Sequence, residues 1–244
     1  MRHTIVGHGK NGSGIATILK DLNFDYLVYD IRSDISTLQS ISQARGLAHV
    51  CTREQEVPNI IKQLNEVEKI TEIIIHSTMP LGATRKVAAV SKIPLTYIPM
   101  FFRERQPEID VLRPNRIVVG TEHDSTVPAE TLKFILSYSD LVKLPPTFMS
   151  FEGAELVKLG TNSMRANMIS FFNHLYTLAL NAGAAEEFKE KILQSDLLKP
   201  SYVLDRWETE RGWGRNPALI GEPFGGFCLP KDSKYLGIKT VLKE

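Results

Sequence analysis

The stretch HTIVGHGKNGSGIATILKDLNFDYLVYD, residues 3–30, decides the fold. HTIV (3–6) reads as a short apolar strand, GSGIATILKDL (12–22) as an amphipathic helix and YLVYD (26–30) as a second strand. Between the first two lies GHGKNG, which sets Gly7, Gly9 and Gly12 in G-x-G-x-x-G spacing. In that pattern the first glycine permits a tight turn, the second lets a pyrophosphate approach the backbone, and the third lets helix and strand pack closely. The helix N-terminus, just past Lys10 and Asn11 of the loop, offers free N–H groups and a partial positive charge to phosphates. Asp30 ends the second strand 18 residues past Gly12, where a carboxylate accepts from both ribose hydroxyls and repels a 2′-phosphate. NAD is therefore favoured over NADP, with Arg32 as a counterweight. The alternative is a glycine turn with no cofactor; strand before, helix after and acid on the second strand weigh against it.

Outward from this unit the alternation continues. GLAHV (46–50) reads as a weaker strand, and Val57, Ile60, Ile61, Leu64 and Val67 recur at helical spacing. TEIIIHST (71–78) is too continuously apolar for a half-exposed strand. ATRKVAAV (83–90) is helical, and LTYIP (95–99) and RIVVG (116–120) are strands. The fold class expected is α/β: a Rossmann-type, doubly wound parallel sheet covered on both faces, with right-handed crossovers. After Pro145-Pro146 the pattern changes. Residues 151–183 carry helical spacing without proline, a second helical segment spans 184–198, and a loop rich in Trp, Gly and Pro covers 207–226. The expected domains are 1–146, binding NAD, and an all-helical 147–244 with one long helix.

Composition sets outer limits. At 43% hydrophobic and 23% charged residues over 244, the chain has material for a sizeable core. A formal net charge of +1 gives no global attraction to nucleic acid or acidic membrane, so neither is an expected partner. MRHTIVGHGK has only a two-residue apolar run before glycine, unlike a signal peptide. The densest apolar stretch, 168–185, carries Asn173, His174 and Asn181 and reads as a buried helix rather than a membrane span. Cys51 and Cys228 form neither a disulfide framework nor a metal-ligand spacing, so no metal is expected and a reducing cytoplasm is the expected compartment.

Two further stretches carry chemistry. In FEGAELVKLGTN, Lys158 and Asn162 lie four apart on one helix face, with Glu155 three before the lysine. An ammonium beside an amide can stabilise the oxyanion that develops when an alcohol loses hydride. On spacing alone, a solvated Glu155–Lys158 pair is the commoner fate. In FGGFCLPKD (224–232), Pro223, Gly225, Gly226 and Pro230 favour a loop, and Lys231 and Asp232 bring charge near the Cys228 thiol. A thiol packed as a small hydrophobe is the commoner fate of isolated cysteines.

Three segments together resemble the UDP-glucose/GDP-mannose (nucleotide-sugar) 6-dehydrogenases: HSTMPLGAT (76–84) with PMFFRE (99–104) and RPNRIVVG (113–120), AELVKLGTN (154–162), and FGGFCLPKD. The resemblance implies a two-step, NAD-dependent oxidation of a sugar C6 alcohol to the acid. It makes Cys228 the nucleophile, Lys158 and Asn162 oxyanion stabilisers, and Asp232 and Thr78 positioners of the hydrolytic water. Ser77 and Thr78 join the cofactor site. Phe101, Phe102, Glu104, Phe224 and Gly225 fall along the sugar-nucleotide path, with Lys158 and Asn162, and Arg215 reaches a neighbour's site. A nucleotide sugar or sugar phosphate is the implied substrate and a homodimer through helix 151–183 the implied assembly. The sequence departs from the family at Met100, where a glutamate that handles protons in thioester breakdown is usual. It resembles a shortened form without the C-terminal UDP-binding domain, and one strand–helix unit after Asp30 looks trimmed. Alternatives are a non-catalytic NAD-binding or assembly protein of that descent, and a simple hydroxyacid-type dehydrogenase that uses no cysteine.

Overall fold

The computed structural model describes residues 2–102, 106–122, 126–187 and 228–236. The chain divides into two compact units, 1–158 and 159–244. The first is built on a seven-stranded sheet of order β2-β1-β3-β4-β5-β6-β7. Its strands are β1 (Arg2–Val6), β2 (Asp25–Tyr29), β3 (Gly46–Val50), β4 (Ile70–Ile75), β5 (Leu95–Tyr97), β6 (Ile117–Thr121) and β7 (Pro146–Ser150). Helices α1 (Lys10–Asp21), α2 (Val57–Leu64), α3 (Ala83–Ala88), α4 (Pro107–Asp110) and α5 (Ala129–Val142) fall between them, and α6 (Phe151–Asn181) follows.

The central strands explain the layering. Ile5, Val6, Leu47, Ala48, Val50, Ile73, Ile74 and Ile75 are all fully buried, so both faces of β1, β3 and β4 must be covered. One face packs against Val57, Ile60, Ile61 and Leu64 of α2, and the other against Ile15, Ile18 and Leu19 of α1 with Phe134 and Ile135 of α5.

Two features depart from the sequence expectation and a third bears on it. The sheet is not wholly parallel: β6 runs antiparallel to β5, meeting it at Tyr97 opposite Gly120, while β7 is parallel to β6. An antiparallel neighbour needs no crossover helix. The link from β5 to β6 therefore stays at the carboxyl rim, where α4 packs on α1. Pro146–Ser150, assigned by the sequence to the end of one domain and the start of the next, pairs residue for residue with β6 as the seventh strand. Between β2 and β3 there is no helix, only a three-residue 3₁₀ turn at Ile41–Gln43, closed by a Ser40/Gln43 capping box. A trimmed strand–helix unit is consistent with that connection.

In the second unit are described the rest of α6, α7 (Ala185–Glu187) and α8 (Cys228–Tyr235). The stretch 168–185 does not read as buried: Phe171 is 56%, Leu178 51% and Leu180 52% exposed. Most of the expected segment 184–198, the loop 207–226, Glu104, Arg215, Phe224 and Gly225 lie outside the described residues.

Two of the helices that begin without a side-chain cap of their own, α3 and α5, are closed from elsewhere. Distant buried glutamates do the work. Glu72 of β4 accepts from Glu130 N at 3.0 Å and Thr131 N at 2.7 Å at the start of α5. Glu155 of α6 accepts from Gly82 N at 2.5 Å and Thr84 N at 2.7 Å at the start of α3. Each carboxylate satisfies orphan N–H groups and sits at a positive helix end. The surface pair Glu155–Lys158 is thus replaced by a fully buried Glu155 serving the backbone. Glu155→Ala leaves two N–H groups without acceptors and should lower unfolding free energy by about 2–4 kcal/mol in urea denaturation.

The glycine loop makes a sharper contrast. A Cβ on Gly12 would collide with the Gly7 carbonyl oxygen, whereas one on Gly9 meets nothing within 4 Å. Gly12→Ala should cost about 3 kcal/mol or prevent folding. Gly9→Ala should stay within about 1 kcal/mol of the parent in the same experiment.

Candidate active site at the carboxyl rim of the sheet

The chain leaves β1 for β2 on one side, while β3 lies on the other. That reversal opens a crevice outside the carboxyl ends of β1 and β3, the usual ligand position in open α/β sheets. The glycine loop borders it. Gly7 has φ +89°, which a side chain rarely adopts. Gly9 is the N-cap of α1, and no side chain caps that end, so the helix N-terminus is open to an anion. The open space at Gly9, the uncapped N–H groups and the acid at the end of β2 together fit a dinucleotide.

The other expected cofactor residues divide. Lys10 is exposed at the first position of α1. Asn11 directs its amide elsewhere: Nδ2 donates to the His76 carbonyl at 3.0 Å, tying α1 to the end of β4. Ser77 is buried and its hydroxyl donates to Thr52 O at 2.7 Å, joining the rims of β4 and β3. Thr78 is half-buried in the loop that follows β4. Asp30 has its side chain only 8% exposed; Oδ2 accepts from His8 N at 2.6 Å and Oδ1 from Arg32 N at 3.0 Å and Nε at 3.1 Å. Burial opposes ionisation of Asp30, but the bonds from Arg32 and His8 outweigh it and hold the carboxyl below its usual range.

Beyond β5, the expected substrate residues are part of the packing. Phe101 is buried, and Lys158 Nζ lies 5.2 Å and Arg116 Cζ 5.4 Å from its ring centroid. Phe102 is half-buried near Gly14 of α1. Lys158 is itself buried and donates to the Met100 carbonyl at 2.8 Å. The Met100 side chain is in the core, and it is the backbone at that position that meets the lysine.

In the second unit two expected residues come together. Asn162 Nδ2 donates to Asp232 Oδ2 at 2.6 Å, both side chains being buried. Lys231 Nζ lies 3.0 Å from Oδ1. Cys228, expected on a turn, lies in helix α8, which runs through Pro230.

One cluster was missed. His3, His49 and His76 are fully buried on one face of β1, β3 and the end of β4. His3 Nδ1 meets His49 Nε2 at 2.9 Å, His49 Nδ1 meets His76 Nε2 at 3.0 Å, and His76 Nδ1 meets the Ile98 carbonyl at 2.8 Å. The carbonyl can only accept, so His76 Nδ1 carries the hydrogen. Its Nε2 is then bare and must accept from His49 Nδ1, and the same logic passes to His3. All three rings are neutral Nδ1–H tautomers, and His3 Nε2 has no partner among the described residues. The signal was legible: a histidine interrupts each of the apolar runs HTIV, GLAHV and TEIIIH.

Three comparisons bear on descent. No protein-family model matches the chain. UDP-glucose 6-dehydrogenase of Streptococcus pneumoniae is 31% identical over 186 residues, 72% of this chain and 42% of that protein. UDP-glucose 6-dehydrogenase of Campylobacter jejuni is 28% identical over 184 residues, 75% of this chain and 42% of that protein. The chain is thus similar to UDP-glucose 6-dehydrogenases over about three quarters of its own length. It spans about 42% of the length of these two curated relatives. Among solved structures, UDP-D-ManNAc dehydrogenase from Pyrococcus horikoshii superposes with a TM-score of 0.73 at 18% identity, covering 100% of this chain and 66% of that one. A UDP-glucose dehydrogenase from Pyrobaculum islandicum gives 0.71 at 20% identity, covering 98% and 65%. At such identities these confirm the fold, and the Rossmann-type assignment stands.

The histidine chain yields a pH prediction. Burial lowers all three imidazoles, with His3 and His76 brought to about 4. The unfolded chain takes up protons near pH 6.5 that the folded state refuses, so stability falls as pH drops from about 6.5 toward 4 and is indifferent to these groups above 7. One such group alone is worth up to about 3 kcal/mol at pH 4. Urea denaturation between pH 7.5 and 4.5 should show the loss, and nitrogen-15 spectra of the imidazoles should show three untitrated Nδ1–H rings down to pH 5.

Proposed function

We propose that this chain binds NAD at the glycine loop and carries the catalytic apparatus for oxidising the C6 alcohol of a nucleotide sugar to the acid. The observation that carries the reading is the 2.6 Å bond from Asn162 to Asp232. It joins two motifs that lie 70 residues apart in the chain, and Asp232 lies one helical turn from Cys228. Lys158, buried and ammonium-bearing on the same helix as Asn162, supplies the second oxyanion-stabilising group.

Bound NAD supplies a hydride acceptor. The chain's own residues do the rest. Lys158 and Asn162 stabilise the alkoxide formed as the alcohol gives up its proton and then hydride. The Cys228 thiolate adds to the resulting aldehyde, forming a C–S bond and a thiohemiacetal. Loss of a second hydride gives a thioester, and water, positioned by Asp232 and Thr78, cleaves the C–S bond to release acid and free thiol. Two NAD are reduced per substrate.

Met100 favours a second reading of the last step. Its buried thioether moves no proton, so hydrolysis is expected to be slow relative to oxidation. The exposed Phe171, Leu178 and Leu180 of α6 are consistent with a homodimer through that helix.

The test is reduction of NAD followed at 340 nm with UDP- and GDP-sugars, with intact-protein mass spectrometry on the products. The expected outcome is two NADH per acid formed, or a single burst with the sugar attached to Cys228. Cys228→Ser should abolish both acid and adduct. One NADH per turnover with no dependence on Cys228 would assign a simple alcohol dehydrogenase instead. Failure to turn over, with NAD still bound, would assign a binding or assembly role.

A further inference from the structure

At the end of β2 the ribose seat carries a feature outside the sequence pattern that defined it. Asp30, the residue expected to accept from the two ribose hydroxyls, already accepts three N–H groups: His8 N on Oδ2, and Arg32 N and Nε on Oδ1. The Arg32 guanidinium also donates from Nη2 to the His8 carbonyl at 3.0 Å. Arg32 thus bridges the glycine loop and the end of β2 across the position a ribose would take. Its side chain is 56% exposed, so it can swing aside at little cost in packing.

The electrostatics follow. An unaccompanied carboxylate at this seat repels a 2′-phosphate; here the carboxylate is neutralised at a distance of 3.1 Å. Two of the five guanidinium hydrogens are engaged by Asp30 Oδ1 and His8 O, which leaves three for another acceptor. Guanidinium and phosphate match as planar fork and acceptor, a pairing lysine does not reproduce. Lys10 stands exposed at the start of α1, adding positive charge to the same rim; Asp34 and Glu108 are the nearby acids that limit it.

We propose that Arg32 makes the ribose seat permissive for a 2′-phosphate, so that the chain binds NADP as well as NAD. The proposal rests on the dinucleotide site of the preceding section and sets its specificity. With NAD, Arg32 leaves Asp30 and the diol takes its place. With NADP, Arg32 keeps the carboxylate covered and meets the phosphate.

The experiment is isothermal titration calorimetry of NAD, NADP and 2′-AMP against the wild type, Arg32→Ala and Arg32→Lys, with circular dichroism melts to confirm that each variant is folded. The expected wild-type dissociation constants for NAD and NADP lie within tenfold of each other. Arg32→Ala should shift the NADP-to-NAD ratio by at least tenfold against NADP and lose 2′-AMP binding; Arg32→Lys should fall between. A wild type that prefers NAD by more than a hundredfold, or an Arg32→Ala ratio within twofold of wild type, overturns the role of Arg32 while leaving the NAD site intact. Binding of neither dinucleotide at millimolar concentration overturns the site itself and this proposal with it.

Discussion

The constraint on which the rest depends is the absence of one carbon atom. No Cβ fits at Gly12, because the Gly7 carbonyl occupies the space. This contact lets α1 come down directly on the end of β1 and point its open N-terminus into the crevice. Gly7 turns the chain with a positive φ, and Gly9 leaves the surface above it clear. Within the first unit, the neighbouring strand ends are tied to this corner. Asn11 ties it to β4, and Arg32 and Asp30 tie it to β2. Through His76 the link reaches β5, since its backbone carbonyl receives Asn11 while its ring reaches Ile98 O.

Buried polar groups hold the framework in register. Glu72 and Glu155 show the same solution used twice: a helix with no cap of its own is closed by a carboxylate from another element. The histidine chain is a third case, in which one carbonyl at its end dictates the tautomer of three rings. In a low-dielectric interior such contacts are costly to leave half-made, which specifies one arrangement of strands. They also explain two readings that changed. Glu155 and Lys158, near in sequence and opposite in charge, form no pair because each has a separate buried partner. The loss of an acid at Met100 removes a titratable side chain but not the backbone oxygen that holds Lys158.

Much of this was legible in the sequence. The first strand, helix and second strand follow from period and glycine spacing alone, because local sterics admit few other conformations there. The strands 46–50 and 71–75 follow from continuous apolar runs, which burial on both faces requires. Lys158 and Asn162 were visible as residues of interest only through their spacing on one helix, and Cys228 and Asp232 only through resemblance. The strand at 146–150 was not legible: Phe148 is 47% exposed and Pro146 opens the segment, so an edge strand here carries no apolar alternation to announce it.

By itself the sequence determined the dinucleotide-type corner and the central strands with their covering helices. These depend on short-range geometry and on which atoms are apolar. Only the tertiary structure decided what each polar group faces. It reversed β6 against β5, sent Asn11 to a carbonyl, closed Asp30 with Arg32, aligned three histidines from separate strands and brought Asn162 to Asp232. The reason is physical: hydrogen-bond partners distant in the chain are chosen by where the packed strands and helices place them, and no local pattern encodes that choice.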